Sequence, residues 1–156
     1  MANELEDGNP APDFALPTDG GGHVRLADLK GKAAVLYFYP KDDTSGCTAE
    51  AIAFSGLNPK FEAAGVAVVG VSPDSAASHE KFKKKHDLAV ALAADPERAA
   101  IEAYGVWKEK SMYGRKYFGV ERSTFLIDRR GRIAKIWRKV KVPGHAEEVL
   151  AAAKAL

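Results

Sequence analysis

The sequence has very little cysteine, since Cys47 is the only one among 156 residues. A single cysteine excludes an intramolecular disulfide and a zinc site built from several thiolates. The four histidines do not have the spacing of metal ligands, so we expect neither a bound metal nor another cofactor. No apolar run approaches the ~20 residues needed to span a bilayer, so no membrane function is expected.

An excess of either charge is also missing, because 23 basic and 21 acidic residues leave a net charge of +2. This balance predicts no dedicated surface for nucleic acid or membranes. The acidic stretch at residues 1–7 lacks the basic and apolar regions of a signal peptide, and we therefore expect a cytoplasmic protein. The composition is typical of globular proteins, and we predict a single domain over residues 1–156 with a loose lead-in at residues 1–9.

Two continuous apolar runs, at residues 33–39 and 66–72, have the length and residue types of buried strands in a parallel sheet. A further short strand is predicted at residues 91–94. Turn residues between apolar segments predict two antiparallel hairpins, one at residues 14–26 and one at residues 124–137.

Helices are predicted between and after these strands. The first follows Cys47, and Leu57–Pro59 predicts a break or kink in it, with Asn58 capping a short second segment. Amphipathic helices are predicted at residues 75–86 and at the C-terminus, whereas residues 107–120 are predicted to be irregular. The order of elements predicts an α/β protein with a thioredoxin-like fold, in which helices flank a central mixed sheet and an N-terminal β-hairpin is added.

Cys47 lies where the first apolar strand gives way to a helix. Unpaired N–H groups and the helix dipole favour negative charge at this end of a helix, so the thiol is biased toward the reactive thiolate. The small or polar residues Thr44, Ser45 and Gly46 precede it and predict that solvent or substrate can approach. Gly46 also lets backbone amides converge on an attacked oxygen. The alternative is that a lone cysteine is a minor apolar core residue.

Three neighbours of Cys47 each have a structural and a functional interpretation. Thr44 is predicted to cap the helix by accepting a hydrogen bond from the amide of Cys47, to present its hydroxyl to the thiolate or substrate, or to do both. Pro40 ends the strand and could also separate the thiol from water. Glu50 is predicted to be a solvated helix residue or an ion-pair partner.

A thiolate in a pocket that contains little water needs a nearby cation. Arg122 is the candidate, because it immediately precedes the predicted strand that begins at Ser123. The residue that leads into a central strand can point toward the N-terminus of the first helix.

Pro40, Thr44 and Cys47 form the pattern Pro-x-x-x-Thr-x-x-Cys, which is similar to the active-site signature of the peroxiredoxins. The wider sequence resembles the peroxiredoxin Q group, also called bacterioferritin comigratory protein, from about Pro10 to the C-terminus. The segments that resemble this group are YPKDDTSGCTAEA, GVAVVGVSPDS, YGVWKEKSMYGRKYFGVERSTFLID and GRIAKIW.

The resemblance implies a thiol-dependent peroxidase that reduces hydrogen peroxide and organic hydroperoxides. Cys47 would correspond to the peroxidatic cysteine and Thr44 to the hydroxyl that orients the peroxide. Pro40 would shield the pocket, and Arg122 would stabilise the thiolate and the transition state. The residues that bind the substrate would be Thr44, Gly46, Cys47 and Arg122. Attack on the terminal peroxide oxygen would release water or an alcohol and leave a sulfenic acid.

The sequence departs from the group in one respect. Many members have a second, resolving cysteine five residues after the peroxidatic one, where this chain has Ile52, or in the helix at residues 75–86, where it has none. We therefore expect a one-cysteine variant regenerated by an external thiol, namely a thioredoxin, a glutaredoxin or a small thiol. The resemblance also implies a monomer.

Two other functions remain open from the sequence. A peroxide sensor would pass oxidation from Cys47 to a partner protein and turn over poorly with general reductants. A holdase-like binding protein on the same fold would keep its function when Cys47 is replaced by serine.

Overall fold

A computed structural model describes residues 4–156 of the chain. Residues 1–3, the start of the predicted lead-in, lie outside the described residues. The strands are β1 (Ala15–Pro17), β2 (His23–Arg25), β3 (Ala33–Phe38), β4 (Val66–Ser72), β5 (Ala91–Ala94), β6 (Trp107–Met112), β7 (Arg115–Val120), β8 (Ser123–Ile127) and β9 (Ile133–Trp137). The helices are α1 (Ser45–Ala63), α2 (Ala76–His86), α3 (Ala99–Ala103) and α4 (His145–Lys154).

The main sheet has five strands in the order β5-β4-β3-β8-β9. β3 lies at its centre, parallel to β4 and antiparallel to β8, so the sheet is mixed. β1 and β2 pair separately as an N-terminal hairpin. The predicted central mixed sheet, its flanking helices and the N-terminal β-hairpin are all confirmed.

Side chains from β3 enter two separate hydrophobic cores because successive residues of a strand point to opposite faces. Val35 and Tyr37 pack on the face covered by α1, α2 and α4. Leu36 and Phe38 pack on the opposite face, with α3 and the N-terminal hairpin. Burial on both faces explains why this strand is a continuous apolar run in the sequence.

The last residues of the lead-in form hydrogen bonds with strand β9. The backbone amide of Gly8 donates to the Ile133 carbonyl oxygen at 2.7 Å, and the Ile133 amide donates to the Asn9 carbonyl oxygen at 2.8 Å. In residues 4–156, no helix combines the length and apolar character that a membrane span requires.

The predicted break in the first helix is wrong. α1 continues from Ser45 to Ala63 with Pro59 inside it. Pro59 is exposed, so the carbonyl oxygen that loses its helical N–H partner, that of Ser55, can be solvated instead. Asn58 does not cap a second segment, since its side-chain amide donates forward to Glu62 at 3.2 Å.

The irregular segment predicted at residues 107–120 is in fact a β-hairpin. β6 and β7 pair along their whole length, with Met112 opposite Arg115. Tyr113 and Gly114 both have positive φ, 52° and 77°, as a two-residue type I′ turn requires. Most side chains of the hairpin are exposed. Because neither face is buried, the alternation that marks a half-buried strand is missing from the sequence.

Candidate active site

The sheet topology places the start of α1 beside the start of β8. β3 ends at Phe38, which lies opposite Ser123, the first residue of the antiparallel strand β8. The loop after β3 leads into α1, and Cys47 is the third residue of that helix. Arg122 directly precedes β8, so it reaches the same edge of the sheet from the other side.

Arg122 bridges two side chains of α1. Its Nη2 lies 3.2 Å from Cys47 Sγ, and its Nη1 donates to Glu50 Oε1 at 2.7 Å. The side chain of Glu50 is only 1% exposed and that of Arg122 is 17% exposed. The expectation that Arg122 points toward the N-terminus of the first helix is therefore met by the geometry.

Glu50 is a buried ion-pair partner and not a solvated helix residue. Its distance in sequence from Cys47, three residues, places both side chains on one face of α1. This spacing could have predicted the ion pair from the sequence, because a guanidinium that contacts one of these two residues can also contact the other.

Burial and neighbouring charge shift the pKa values of Glu50 and Arg122 in opposite directions. Burial raises the pKa of Glu50 to about 7, although Arg122 lowers it by charge and by hydrogen bonding. Burial alone would lower the pKa of Arg122, but the neighbouring Glu50 and Cys47 raise it overall. The guanidinium therefore stays positively charged against the sulfur atom.

Gly46 leaves the space that the guanidinium occupies. A Cβ atom at this position would lie 3.2 Å from Arg122 Nη2. That is tighter than an ordinary carbon–nitrogen contact, so a side chain here would push Arg122 away from Cys47. The absence of a side chain at Gly46 thus lets Arg122 approach Cys47 closely.

Thr44 occupies the N-cap position of α1, but its side chain makes no capping hydrogen bond. Its hydroxyl instead donates to the Lys41 carbonyl oxygen at 3.0 Å, so the predicted bond from the Cys47 amide is wrong. The exposed Thr44 closes the turn after β3. Pro40 starts that turn, directly after the buried Tyr39, and is itself half-buried.

The thiol is more enclosed than its neighbours predict. Thr44 and Ser45 are exposed, yet Cys47 is 1% exposed and belongs to the core on the α1 face of the sheet. Tyr37 of β3 is another fully buried side chain of this core, and burial raises its pKa well above the ordinary value. The phenol is therefore neutral, and Arg122 provides the positive charge in contact with Cys47.

This arrangement can activate and hold an anionic sulfur nucleophile. The guanidinium and the N-terminal end of α1 place positive electrostatic potential beside the sulfur, where negative charge develops on an attacked oxygen. Among residues 4–156, no group of three or more His, Cys, Asp or Glu side chains is placed to hold a metal ion.

Known proteins resemble the chain over nearly its whole length. Residues 8–136 match the AhpC/TSA family. Peroxiredoxin Bcp of Bacillus subtilis is 51% identical over 146 residues, which are 94% of this chain and 93% of the relative. Peroxiredoxin Bcp of Xanthomonas campestris is 48% identical over 148 residues, covering 94% of this chain and 92% of the relative.

Solved structures show the same fold. The Xanthomonas campestris bacterioferritin comigratory protein superposes with a TM-score of 0.87 at 46% identity, over 91% of this chain and 90% of its own. The PrxQ protein of Xylella fastidiosa superposes with a TM-score of 0.93 at 41% identity, over 99% and 98% of the two chains. The thioredoxin-like fold is confirmed.

These relatives also confirm the predicted enzyme class, a thiol-dependent peroxidase, and they do not favour the sensor. The resemblance found in the sequence from about Pro10 to the C-terminus therefore extends to the fold. The chain belongs to the AhpC/TSA family and, within it, to the Bcp/PrxQ peroxiredoxins.

Proposed function

We propose that the protein reduces hydrogen peroxide and organic hydroperoxides by direct attack of Cys47 Sγ on the terminal peroxide oxygen. The sulfur–oxygen bond forms as the oxygen–oxygen bond breaks, and the leaving oxygen takes up a proton to become water or an alcohol. Cys47 is left as a sulfenic acid. The Xanthomonas campestris bacterioferritin comigratory protein has alkyl peroxide reduction activity, which supports organic hydroperoxides as one substrate class.

The single observation on which this proposal rests is the contact of 3.2 Å between Arg122 Nη2 and Cys47 Sγ. The guanidinium stabilises the thiolate before the reaction and the negative charge on the peroxide oxygens during it. The ion pair with Glu50 fixes the direction of the arginine fork, so the cation needs no rearrangement as the charge moves.

The other site residues serve to bind and enclose the peroxide. Gly46 gives the substrate access to backbone N–H groups at the start of α1, and the Thr44 hydroxyl turns toward the bound peroxide. Pro40 limits water in the pocket. The position of each residue, on the loop after β3 or in the first turn of α1, supports its proposed role.

Regeneration of the thiol requires an external reductant because the sequence has no second cysteine. One thiol condenses with the sulfenic acid to give a mixed disulfide and water. A second thiol then releases Cys47 and forms a disulfide with the first. A thioredoxin, a glutaredoxin or a small thiol can supply both equivalents. We further propose that the chain acts as one domain, as a monomer, in the cytoplasm and without a metal or other cofactor.

Mass spectrometry of Cys47 tests this function. The reduced protein is treated with one equivalent of hydrogen peroxide, and the product is analysed before and after each candidate thiol is added. We expect the sulfenic acid first, then a mixed disulfide, then the free thiol, with loss of peroxide consumption in Cys47→Ser. Peroxide consumption that persists in Cys47→Ser would refute the mechanism. A Cys47→Ser variant that no longer consumes peroxide but still binds other proteins would favour the holdase.

A further inference from the structure

The loop that precedes α1 is attached to α2 through a buried histidine that the peroxidase mechanism does not use. His79 is fully buried, at 0% exposure. Its Nδ1 lies 2.7 Å from Asp42 Oδ2, and its Nε2 lies 3.0 Å from the carbonyl oxygen of Ala93 on β5. A buried, titratable side chain that joins three elements requires an explanation in this fold.

The two nitrogens of the His79 ring have different surroundings. A carbonyl oxygen cannot donate, so the bond to Ala93 needs a proton on Nε2. Nδ1 lies 2.7 Å from Asp42 Oδ2 and 3.3 Å from the Tyr39 hydroxyl. His79 therefore connects β5 to the side chain of Asp42.

Asp42 has the donors that an anion in this position needs. The Tyr39 hydroxyl donates to its Oδ1 at 2.6 Å, and the Ser78 hydroxyl donates to its Oδ2 at 2.7 Å. Burial acts to raise the pKa of Asp42, but the hydrogen bonds from His79, Tyr39 and Ser78 outweigh burial and lower it overall. The carboxylate is therefore charged at neutral pH.

The same carboxylate belongs to the turn that begins the active site. Asp42 lies two residues before Thr44, and its own amide donates to Asp74 Oδ2 at 2.7 Å. The Thr44 hydroxyl bonds to the Lys41 carbonyl oxygen, and the Thr44 carbonyl oxygen accepts the first helical bond of α1, from Thr48 at 2.8 Å. A fixed position of Asp42 therefore restrains the turn that carries both the Thr44 hydroxyl and the start of α1.

We propose that His79, which contacts both Asp42 and the Ala93 carbonyl oxygen, is a positioning residue that fixes the turn at residues 41–44 and so keeps Cys47 enclosed against Arg122. The inference rests on the proposed roles of Thr44 and Cys47 in peroxide reduction. His79 touches neither thiol nor substrate, and it acts on the turn through Asp42 and through the Tyr39 hydroxyl that bonds to Asp42. Loss of the pair loosens the turn, separates the sulfur from its cation and opens the pocket to solvent.

His79→Gln tests the proposal, with His86→Gln as its matched control. Glutamine keeps one donor for Asp42 but loses the second bond. His86 lies on the same helix and contacts the neighbouring carboxylate of Asp43, which is exposed, while His86 itself is partly buried; ion pairs at such surface sites contribute little. Two rates are measured well below the thermal midpoint of each variant: oxidation of Cys47 by hydrogen peroxide at neutral pH, and alkylation of the reduced thiol by neutral iodoacetamide at about pH 9, where an ordinary thiol is mostly ionised.

The two rates should move in opposite directions in His79→Gln. Oxidation should slow by about 10- to 100-fold, as expected when a small displacement moves a reacting group. Alkylation should become faster by about tenfold, because Sγ leaves its enclosed position. His86→Gln should change each rate by less than about twofold. An oxidation rate within about twofold of the wild type, or two rates that change in the same direction, overturns the proposal.

A second variant and a spectrum keep the test decisive if His79→Gln does not fold. Asp42→Asn retains an oxygen for the Tyr39 hydroxyl but removes the charge, and it should show the same opposite changes. In the wild type, nitrogen NMR of labelled histidine should find a proton on Nε2 of His79, as the bond to the Ala93 carbonyl oxygen requires, and an unprotonated Nε2 overturns the assigned contact. If the wild type does not react with peroxide, the proposed function fails, whereas the alkylation rates still test the positioning role.

Discussion

Gly46→Ala gives a prediction in which activity and stability change in opposite directions. The added Cβ atom would lie 3.2 Å from Arg122 Nη2, with the guanidinium carbon next at 3.9 Å. The arginine has to move by a few tenths of an ångström, and the movement lengthens its contact of 3.2 Å with Cys47 Sγ. The methyl group is small enough that the fold itself is not disturbed.

The size of the effect follows from the contact that is weakened. A hydrogen bond to a charged group contributes about 1.5–3 kcal/mol, and we expect Gly46→Ala to forfeit about half of it. A loss of about 0.8–1.5 kcal/mol in transition-state stabilisation slows the reaction by about 4- to 13-fold. Replacing a helical glycine by alanine meanwhile favours the helix by about 0.5–1 kcal/mol. The free energy of unfolding should therefore stay unchanged or rise.

The assay is the second-order rate constant of oxidation by hydrogen peroxide, combined with urea unfolding of the reduced protein. Gly56→Ala is the control, because Gly56 lies in the same helix and its Cβ atom would meet nothing within 4 Å. The control should gain similar stability and keep the wild-type rate. A wild-type oxidation rate in Gly46→Ala would refute the argument that the glycine makes room for Arg122.

Three further predictions concern side chains around the site. Thr44→Val removes the donor to the Lys41 carbonyl oxygen. The stopped-flow rate of Cys47 oxidation should fall, while the free energy of unfolding changes by no more than about 1 kcal/mol. A far larger loss of stability would show that the hydroxyl is mainly structural. Because burial raises the pKa of Glu50 from 4.5 to about 7, the folded chain binds this proton more tightly than the unfolded chain, and stability should decline as pH rises from about 4.5 to about 7. Urea unfolding of Glu50→Gln should lack that decline, and identical pH profiles would contradict the shift. Gly70→Ala places a Cβ atom 2.5 Å from the Tyr37 ring, so the thermal midpoint should fall by the equivalent of about 1–3 kcal/mol; an unchanged midpoint would show that the ring can move aside.

The main sheet and the position of the thiol could be predicted because both depend on local pattern. The run at residues 33–39 is apolar throughout since β3 is covered on both faces, and the residue types at the strand-to-helix junction mark Cys47. The position of Arg122 followed from the same logic, since a residue that leads into a central strand lies at the end of the sheet.

The features that the sequence did not predict depend on the environment of a side chain. β6 and β7 were missed because their hairpin is exposed on both faces, and Pro59 is tolerated because it lies on the exposed side of α1. Glu50 could be solvated or paired until the fold placed Arg122 beside it. Thr44 has the residue type of a helix cap, yet the turn geometry directs its hydroxyl to Lys41.

The contact between Cys47 and Arg122 joins residues that are 75 positions apart, and this separation matters for a chain that is still folding. Closing so long a loop is entropically unfavourable until native contacts compensate for it, and non-local strand pairing of this kind is slow to form. α1 can form early from local interactions, whereas the arginine arrives only when β8 has paired with β3. In an incompletely folded or newly synthesised chain, Cys47 therefore lacks its contact with Arg122, and recovery of peroxide reactivity during refolding should report the completion of the central sheet.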